Sequence, residues 1–374
     1  MSRIYLSPPD ISNQDRFAVQ SAFDSGWVAP VGPDLDAFEA EVANRVDRSY
    51  ACAVNSGTSA LHLALLALGI QPGDRVICPS LTFAGCAFPI TYCGAEPIFV
   101  DSKSDTWNMD CKLLKSAIET SLAEGRKPKA VIVVQIYGQC AKMDPLLTLC
   151  NEHQIPVIED AAESMGASYK GKPAGSFGDL SFLSFNGNKI ITTSGGGMLL
   201  GNDLALIEKA RYLSQQAREP VLHYEHKAIG YNYRLSNILA ALGRSQLTDL
   251  DRRILIRKKH FEAYMQSIGK LPGILFMPIS SEGSPNYWLS CIILDKTQSK
   301  VSRDELISIC HDASIEIRPI WKPLHMQKVF QEKQMFGGAV SESLFYNGLC
   351  LPSGSNLSDE DREKVISILS LALK

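Results

Sequence analysis

Lys189 stands five residues after Ser184 and just ahead of Gly195-Gly196-Gly197, in the run Ser184-Phe185-Asn186-Gly187-Asn188-Lys189-Ile190-Ile191-Thr192-Thr193-Ser194. A lysine amine so placed can form a Schiff base with an aldehyde cofactor. A serine hydroxyl can hold that cofactor's phosphate, and glycines let backbone pass close by without Cβ clashes. Taken alone, the run also fits a glycine-rich surface turn with a solvated lysine, the usual state of lysines. A second group is Asn55-Ser56-Gly57-Thr58, between the apolar run Tyr50–Val54 and an apolar helix expected from Ser59 to Leu68. Strand, Ser/Gly/Thr turn and helix N-terminus together favour an anion, through free N–H groups and the helix dipole. An ordinary N-cap uses the same residue types.

Two more residues complete a set. Asp160 closes the run Pro156-Val157-Ile158-Glu159-Asp160, and Phe83 follows a strand at Arg75–Cys78. A Schiff-base lysine, a strand-end carboxylate, a phosphate cradle of Gly57, Thr58 and Ser184, and an aromatic ring are the equipment for pyridoxal 5'-phosphate. The aspartate keeps the pyridine nitrogen protonated and the ring an electron sink, while the aromatic residue stacks on it. A carboxylate beside a pyridinium is expected to have a lowered pKa. Each residue alone has a plainer reading: Asp160 a helix cap, Phe83 a core aromatic.

The elements that must position these residues alternate. Strands are expected at Tyr50–Val54, Arg75–Cys78, Pro97–Asp101, Ala130–Val134 and Pro156–Asp160. Helices are expected at 11–26, 34–46, from near Thr82, and at 143–153. Repeated β-α-β with a near-continuous apolar run at 130–134 argues for a mostly parallel sheet flanked by helices. In such sheets ligands gather at the carboxyl ends of strands. From about 235 the pattern changes: a long helix from Leu235 to Tyr264, strands at Asn286–Leu294 and Ile315–Arg318, and helices at Arg303–His311 and Asp359–Leu373. This predicts a large domain with an N-terminal arm at 1–249 and a smaller α+β domain at 250–374.

With 374 residues, 45% of them hydrophobic, the chain can build a large core. Lys+Arg of 37 against Asp+Glu of 40 leaves a net charge of -3, without the basic footprint of a nucleic-acid binder. The basic run from Arg252-Arg253 to Lys258-Lys259 reads as a solvated helix face. The first residues, up to Pro8-Pro9, lack an apolar signal core. No stretch approaches the ~20 apolar residues of a membrane helix, so a soluble, cytoplasmic protein is expected. Ten scattered cysteines read as reduced core thiols. His223 and His226 lack partners at zinc-site spacing, so no metal is expected.

Several segments together resemble the DegT/DnrJ/EryC1/StrS sugar aminotransferases, within the fold type I, aspartate-aminotransferase-like pyridoxal phosphate enzymes. They are Val54–Leu61, Ile158–Ser164, Ser184–Gly197, Gly230-Tyr231-Asn232-Tyr233-Arg234 and Leu349–Pro352, and the likeness runs nearly end to end. It implies that Lys189 is the Schiff-base lysine and proton shuttle. Asp160 would pair with the pyridine nitrogen, Glu163 lie near the phenolic oxygen, Phe83 stack, and Ser184, Gly57 and Thr58 bind the phosphate. Asn232 would reach the partner subunit's phosphate, which implies a homodimer with shared active sites. Arg318-Pro319-Ile320-Trp321-Lys322-Pro323-Leu324-His325 resembles a nucleotide-sugar loop. Arg318, Trp321, Lys322, His325, Asn188 and Trp27 are the candidate substrate residues.

Relatives with histidine in place of the lysine are dehydratases, so Lys189 argues for transamination. The implied reaction moves an amine from an amino acid, usually glutamate, to the C4 keto group of a nucleotide-linked 4-keto-6-deoxy sugar. The form of the lysine segment is similar to the branch that makes a bacillosamine precursor for bacterial glycans, from UDP-4-keto-6-deoxy-N-acetylglucosamine. GDP- and dTDP-linked keto-sugars compete with it. A non-catalytic pyridoxal phosphate-binding regulator is a reading of another class, but residues 1–50 are short and neutral for a DNA-binding module. A desulfurase or decarboxylase is a further one, for which a mobile catalytic cysteine loop is missing.

Overall fold

A computed structural model describes residues 3–374; Met1 and Ser2, at the start of the stretch read as lacking a signal core, lie outside them. The strands of the first half are β1 (Tyr50–Val54), β2 (Arg75–Pro79), β3 (Glu96–Val100), β4 (Ala130–Val134), β5 (Val157–Asp160), β6 (Ser168–Tyr169), β7 (Lys172–Pro173), β8 (Leu180–Ser184) and β9 (Gly197–Gly201). Those of the second half are β10 (Ile274–Phe276), β11 (Gly283–Ser284), β12 (Ser290–Leu294), β13 (Arg318–Pro319), β14 (Met335–Phe336) and β15 (Gly348–Leu351).

The large sheet runs β1-β9-β8-β5-β4-β2-β3-β14. Its central pairs are parallel, and β9 is antiparallel to both β1 and β8. The inner strands are buried on both faces, as their unbroken apolar runs require: every residue of β2, β4 and β9 is buried. Because β1, β2, β4, β5 and β8 point the same way, Val54, Pro79, Val134, Asp160 and Ser184 all end at one edge. Gly197 enters β9 at that edge, opposite both Ser184 and Val54. The α/β architecture expected from the alternating pattern is therefore the one observed.

A second sheet, β10-β12-β15-β13, packs against the helices Arg303–Asp312 and Asp359–Leu373 through Ile292, Leu306, Leu349, Val365 and Leu369. Ile4 pairs with Ile315 beside it, so the N-terminal arm lies along this half of the molecule. Strand β14 comes from the second half yet pairs with β3 in the large sheet.

Five expectations need correcting. The strand expected at Asn286–Leu294 begins only at Ser290, so Asn286 and Trp288 lie ahead of it. The long helix from 235 is two helices, Asn237–Thr248 and Leu250–Ser267, because the chain breaks at Asp249. The helix expected near Thr82 begins later, as a short turn at Ala84–Cys86 and a helix at Phe88–Tyr92, since Phe83 is extended (φ -68°, ψ 144°). The strand expected at 315–318 shrinks to Arg318–Pro319, with Ile315 given to the N-terminal arm. The basic run is not simply a solvated face: Arg253 and Arg257 are each 1% exposed and point inward. Among the described residues no helix is long and apolar enough to cross a membrane. All ten cysteines are free thiols.

Candidate active site

The carboxyl edge of the large sheet opens into a cavity of about 370 Å3. Gly57, Thr58, Phe83, Asp160, Glu163, Ser184, Asn188, Lys189 and Trp321 all line it. Nine residues chosen from sequence, spread over 265 positions, thus face one space.

One end is a cradle. Ser56 caps the helix Gly57–Ala67, its Oγ accepting the Ser59 N–H at 3.0 Å. The first-turn N–H groups of Gly57 and Thr58 cannot find acceptors within the helix. Glycine is needed for closeness here. A Cβ on Gly57 would stand 3.1 Å from the Ser184 Cβ, and one on Gly85 would stand 3.0 Å from Thr58 Oγ1. On the far side a Cβ on Gly197 would meet the Gly57 nitrogen at 2.5 Å. Hydroxyls, free N–H groups and a helix N-terminus are what a phosphate monoester requires.

At the other end Lys189 Nζ lies 3.7 Å from Glu163 Oε1 and 4.1 Å from the centre of the Trp288 ring. Glu163 Oε2 accepts the Tyr137 N–H at 2.7 Å. Burial pushes the Glu163 carboxyl up; the Lys189 cation and the Tyr137 N–H work against that. Asp160 Oδ1 accepts the Ala162 N–H at 3.0 Å. Burial pushes Asp160 up to about 7, with the nearby Glu163 and Glu159 adding to the rise and Ala162 N–H and Lys189 opposing it. The lowering expected beside a pyridinium is thus not what the protein groups alone produce. A buried carboxylate held this way is short of a cation, and a protonated pyridine nitrogen is one. Cradle, lysine and carboxylate therefore fit pyridoxal 5'-phosphate.

The other candidates lie elsewhere. Arg318 and Lys322 line a neighbouring cavity of about 670 Å3, which shares Asn188 and Trp321 with the first. Arg318 is ion-paired to Glu316 at 2.6 Å. His325 lines neither space. Its Nδ1 is 2.6 Å from Ser80 Oγ and its Nε2 3.0 Å from Glu342 Oε1, so it ties the end of β2 to the helix Ala339–Asn347. Trp27 is 47% exposed and lines neither. Asn232 opens on a separate cavity with Arg211 and Arg234, while its carbonyl accepts from Asn55 Nδ2 at 3.4 Å. Sequence reasoning passed over Tyr137, Asn286 and Trp288, which surround Lys189 and Glu163. The Asn286-Tyr287-Trp288 run reads locally as strand, and nothing in its spacing signals the lysine.

Comparison with known proteins agrees with this arrangement. Residues 9–370 match the DegT/DnrJ/EryC1/StrS aminotransferase family. EpsN of Bacillus subtilis (strain 168), provisionally named a pyridoxal phosphate-dependent aminotransferase, is 49% identical over 98% of this chain and 95% of its own. The GDP-perosamine synthase of Caulobacter vibrioides is 37% identical over 100% of this chain and 99% of its own. Among solved structures, S. venezuelae DesV in complex with a ketimine intermediate superposes with a TM-score of 0.87 at 30% identity, covering 96% of this chain and 94% of that one.

Proposed function

Because the chain belongs to the DegT/DnrJ/EryC1/StrS aminotransferase family, whose members use pyridoxal phosphate, we propose that it aminates a nucleotide-linked keto-sugar. The observation that carries the reading is Lys189 and Asp160 facing one cavity whose other end is the Gly57, Thr58 and Ser184 cradle. Bound pyridoxal phosphate supplies the aldehyde that carries the amine and the ring that takes up an electron pair.

The residues do the rest. Gly57, Thr58 and Ser184 hold the phosphate, Asp160 holds the ring nitrogen in its protonated form, and Phe83 covers a ring face. Lys189, once its amine is free, would move a proton between the amine-bearing carbon and the cofactor's C4′ in each half-reaction: off the donor carbon in the first, onto the sugar carbon in the second, as general base and acid. Glu163, 3.7 Å away, holds that amine in place. The neighbouring cavity is large enough for a nucleotide and offers Arg318 and Lys322 to a diphosphate.

In our reading the donor is L-glutamate and the acceptor the C4 keto group of UDP-4-keto-6-deoxy-N-acetylglucosamine, on the path to a bacterial glycan. The Ser184–Gly197 segment supports this choice. The likeness to GDP-perosamine synthases favours a second acceptor, a GDP-linked 4-keto-6-deoxy sugar. We also assign a homodimer in which Asn232 serves the partner's phosphate. The exposed Leu222, Tyr224 and Ile229 near it are apolar surface that a second subunit can cover. Ten free thiols suit the reducing cytoplasm.

The test is spectroscopic. Glutamate should bleach the visible band of the lysine-bound cofactor in the parent protein, and that band should be missing in Lys189→Ala. The UDP- or the GDP-linked keto-sugar, added separately, should restore it. Bleaching without recovery by either sugar would refute the acceptor assignment. A parent protein that binds the cofactor but never bleaches would refute transamination.

A further inference from the structure

Trp288 is 1% exposed, and Lys189 Nζ sits over its ring. The indole is held from several sides. Its ring N–H donates to the Asn188 carbonyl at 2.8 Å, and its main-chain N–H to Asn286 Oδ1 at 2.8 Å. Its own carbonyl accepts Arg257 Nη1 at 2.6 Å. Tyr137 stacks beside it, 6.4 Å between centres at 18°. Asn286 is fixed in turn, donating to the carbonyls of Glu163 and Met165 at 2.9 and 3.0 Å.

The frame closes on the lysine. Arg257 Nη2 donates to Ser7 Oγ at 3.1 Å, and the Ser7 hydroxyl donates to the same Asn188 carbonyl at 2.9 Å. The carbonyl directly before Lys189 thus receives two hydrogen bonds, from two groups that one buried guanidinium joins. Burying that guanidinium is costly, and here it bonds to neutral oxygens of Trp288 and Ser7. What the arrangement secures is the position of the indole relative to Lys189.

We propose that Trp288 is a positioning residue for the catalytic lysine: its indole face is the berth of the Lys189 side chain when the amine is free of the cofactor and protonated, the form that has taken up a proton and has yet to give it back. This rests on the aminotransferase reading for the task of the amine, not for its place. The face of an indole attracts a cation and has no such hold on a neutral amine. Lys189 lines the cofactor cavity and Trp288 the neighbouring one, so a lysine parked over the indole stays beside the place where the two cavities meet. Asp160 and Glu163 are the charged groups facing Lys189 from the large sheet, and Arg257 lies beyond the Trp288 carbonyl. A carboxylate alone would hold the amine by charge but not fix its direction.

The experiment labels cofactor-free protein with trace acetic anhydride at one pH and compares Lys189 with the exposed Lys115 by peptide mass spectrometry. Trp288→Leu should raise the relative labelling of Lys189 about fivefold, the factor a contact worth ~1 kcal/mol implies, and Trp288→Phe should raise it less. With cofactor, exchange of the glutamate α-proton in deuterated water should slow in both variants at saturating glutamate, with KM little changed. Unchanged labelling in a folded Trp288→Leu protein overturns the proposal. Should that variant not fold, Trp288→Phe decides: a rise of about twofold supports the berth and no rise overturns it. Labelling needs no substrate. Its failure leaves sugar amination standing, and a keto-sugar that does not react leaves the labelling result standing.

Discussion

The phenolic oxygen of Tyr137 accepts the main-chain N–H of Trp321 at 2.8 Å, and the two rings lie stacked with centres 6.0 Å apart. Tyr137 follows β4 in the large sheet, and Trp321 follows β13 in the small one. Tyr137 also gives its own N–H to Glu163, so one residue joins the lysine's carboxylate partner to the loop that separates the two cavities. It does so at φ 52°, a conformation bulky residues avoid and that costs about 1–3 kcal/mol.

Tyr137→Phe removes only the bond to Trp321 and leaves a half-buried N–H without its protein partner. The expected loss of stability is about 1–2 kcal/mol, read by urea denaturation. The loop at Trp321 should loosen, so KM for the keto-sugar should rise several-fold while the glutamate half-reaction keeps its rate. A slowed glutamate half-reaction would mean that the phenol acts through Glu163 instead.

Gly138 is at φ 90°, and a Cβ there would fall 1.9 Å from Asn286 Oδ1. Gly138→Ala therefore strains the backbone and displaces the amide that holds Trp288. The expected cost is above ~3 kcal/mol. A thermal melt close to that of the parent would contradict this account of the Tyr137-Gly138 turn.

Asp160 sets a pH dependence. Its carboxyl rises from an ordinary 3.8 to about 7 in the folded protein without cofactor. Across that interval the folded state holds a proton the unfolded chain has released. The stability that proton contributes is present at about pH 4 and is lost as pH climbs toward 7. Asp160→Asn has no such loss. The cofactor-free variant should match the parent near pH 4 and exceed it at pH 8 by on the order of 4 kcal/mol. Pyridoxal phosphate should reverse the order at pH 8, because its ring nitrogen gives the carboxylate a cation. Parallel pH profiles for the two cofactor-free proteins would refute the assignment.

Ser56→Ala removes the cap of the helix Gly57–Ala67. The expected cost is about 1 kcal/mol in stability. In the proposed site the cofactor's phosphate meets the same helix end, so its affinity should fall as well, measured by equilibrium dialysis. An unchanged affinity would place the phosphate away from this turn.

The strands that build the site were legible because burial on both faces writes itself as unbroken apolar runs, as in Ala130–Val134. The residues that meet at the candidate site were legible because their types are unusual for such places: a lysine among glycines, an aspartate closing an apolar run. What stayed hidden depends on contacts between distant segments. Trp288 has the local look of any strand aromatic, and its value to Lys189 comes from Asn286, Arg257 and Ser7 converging on it. Arg257 reads as one charge of a solvated run until the N-terminal arm is laid across it. The direction of the Asp160 shift could not be read either, because it follows from how deeply the carboxyl is buried beside Glu163.

Strand β14 has a temporal side. Val100, at the end of β3, waits for Phe336 as its neighbour. A ribosome has produced most of the chain before that partner exists. Until then β3 is an open edge, with the apolar residues Ile98, Phe99 and Val100 beside unpaired backbone groups. The nascent protein therefore passes through a period in which its catalytic sheet is nearly assembled yet adhesive. Chains cut short before residue 335 would be caught permanently in that state, as insoluble material rather than as a slower enzyme.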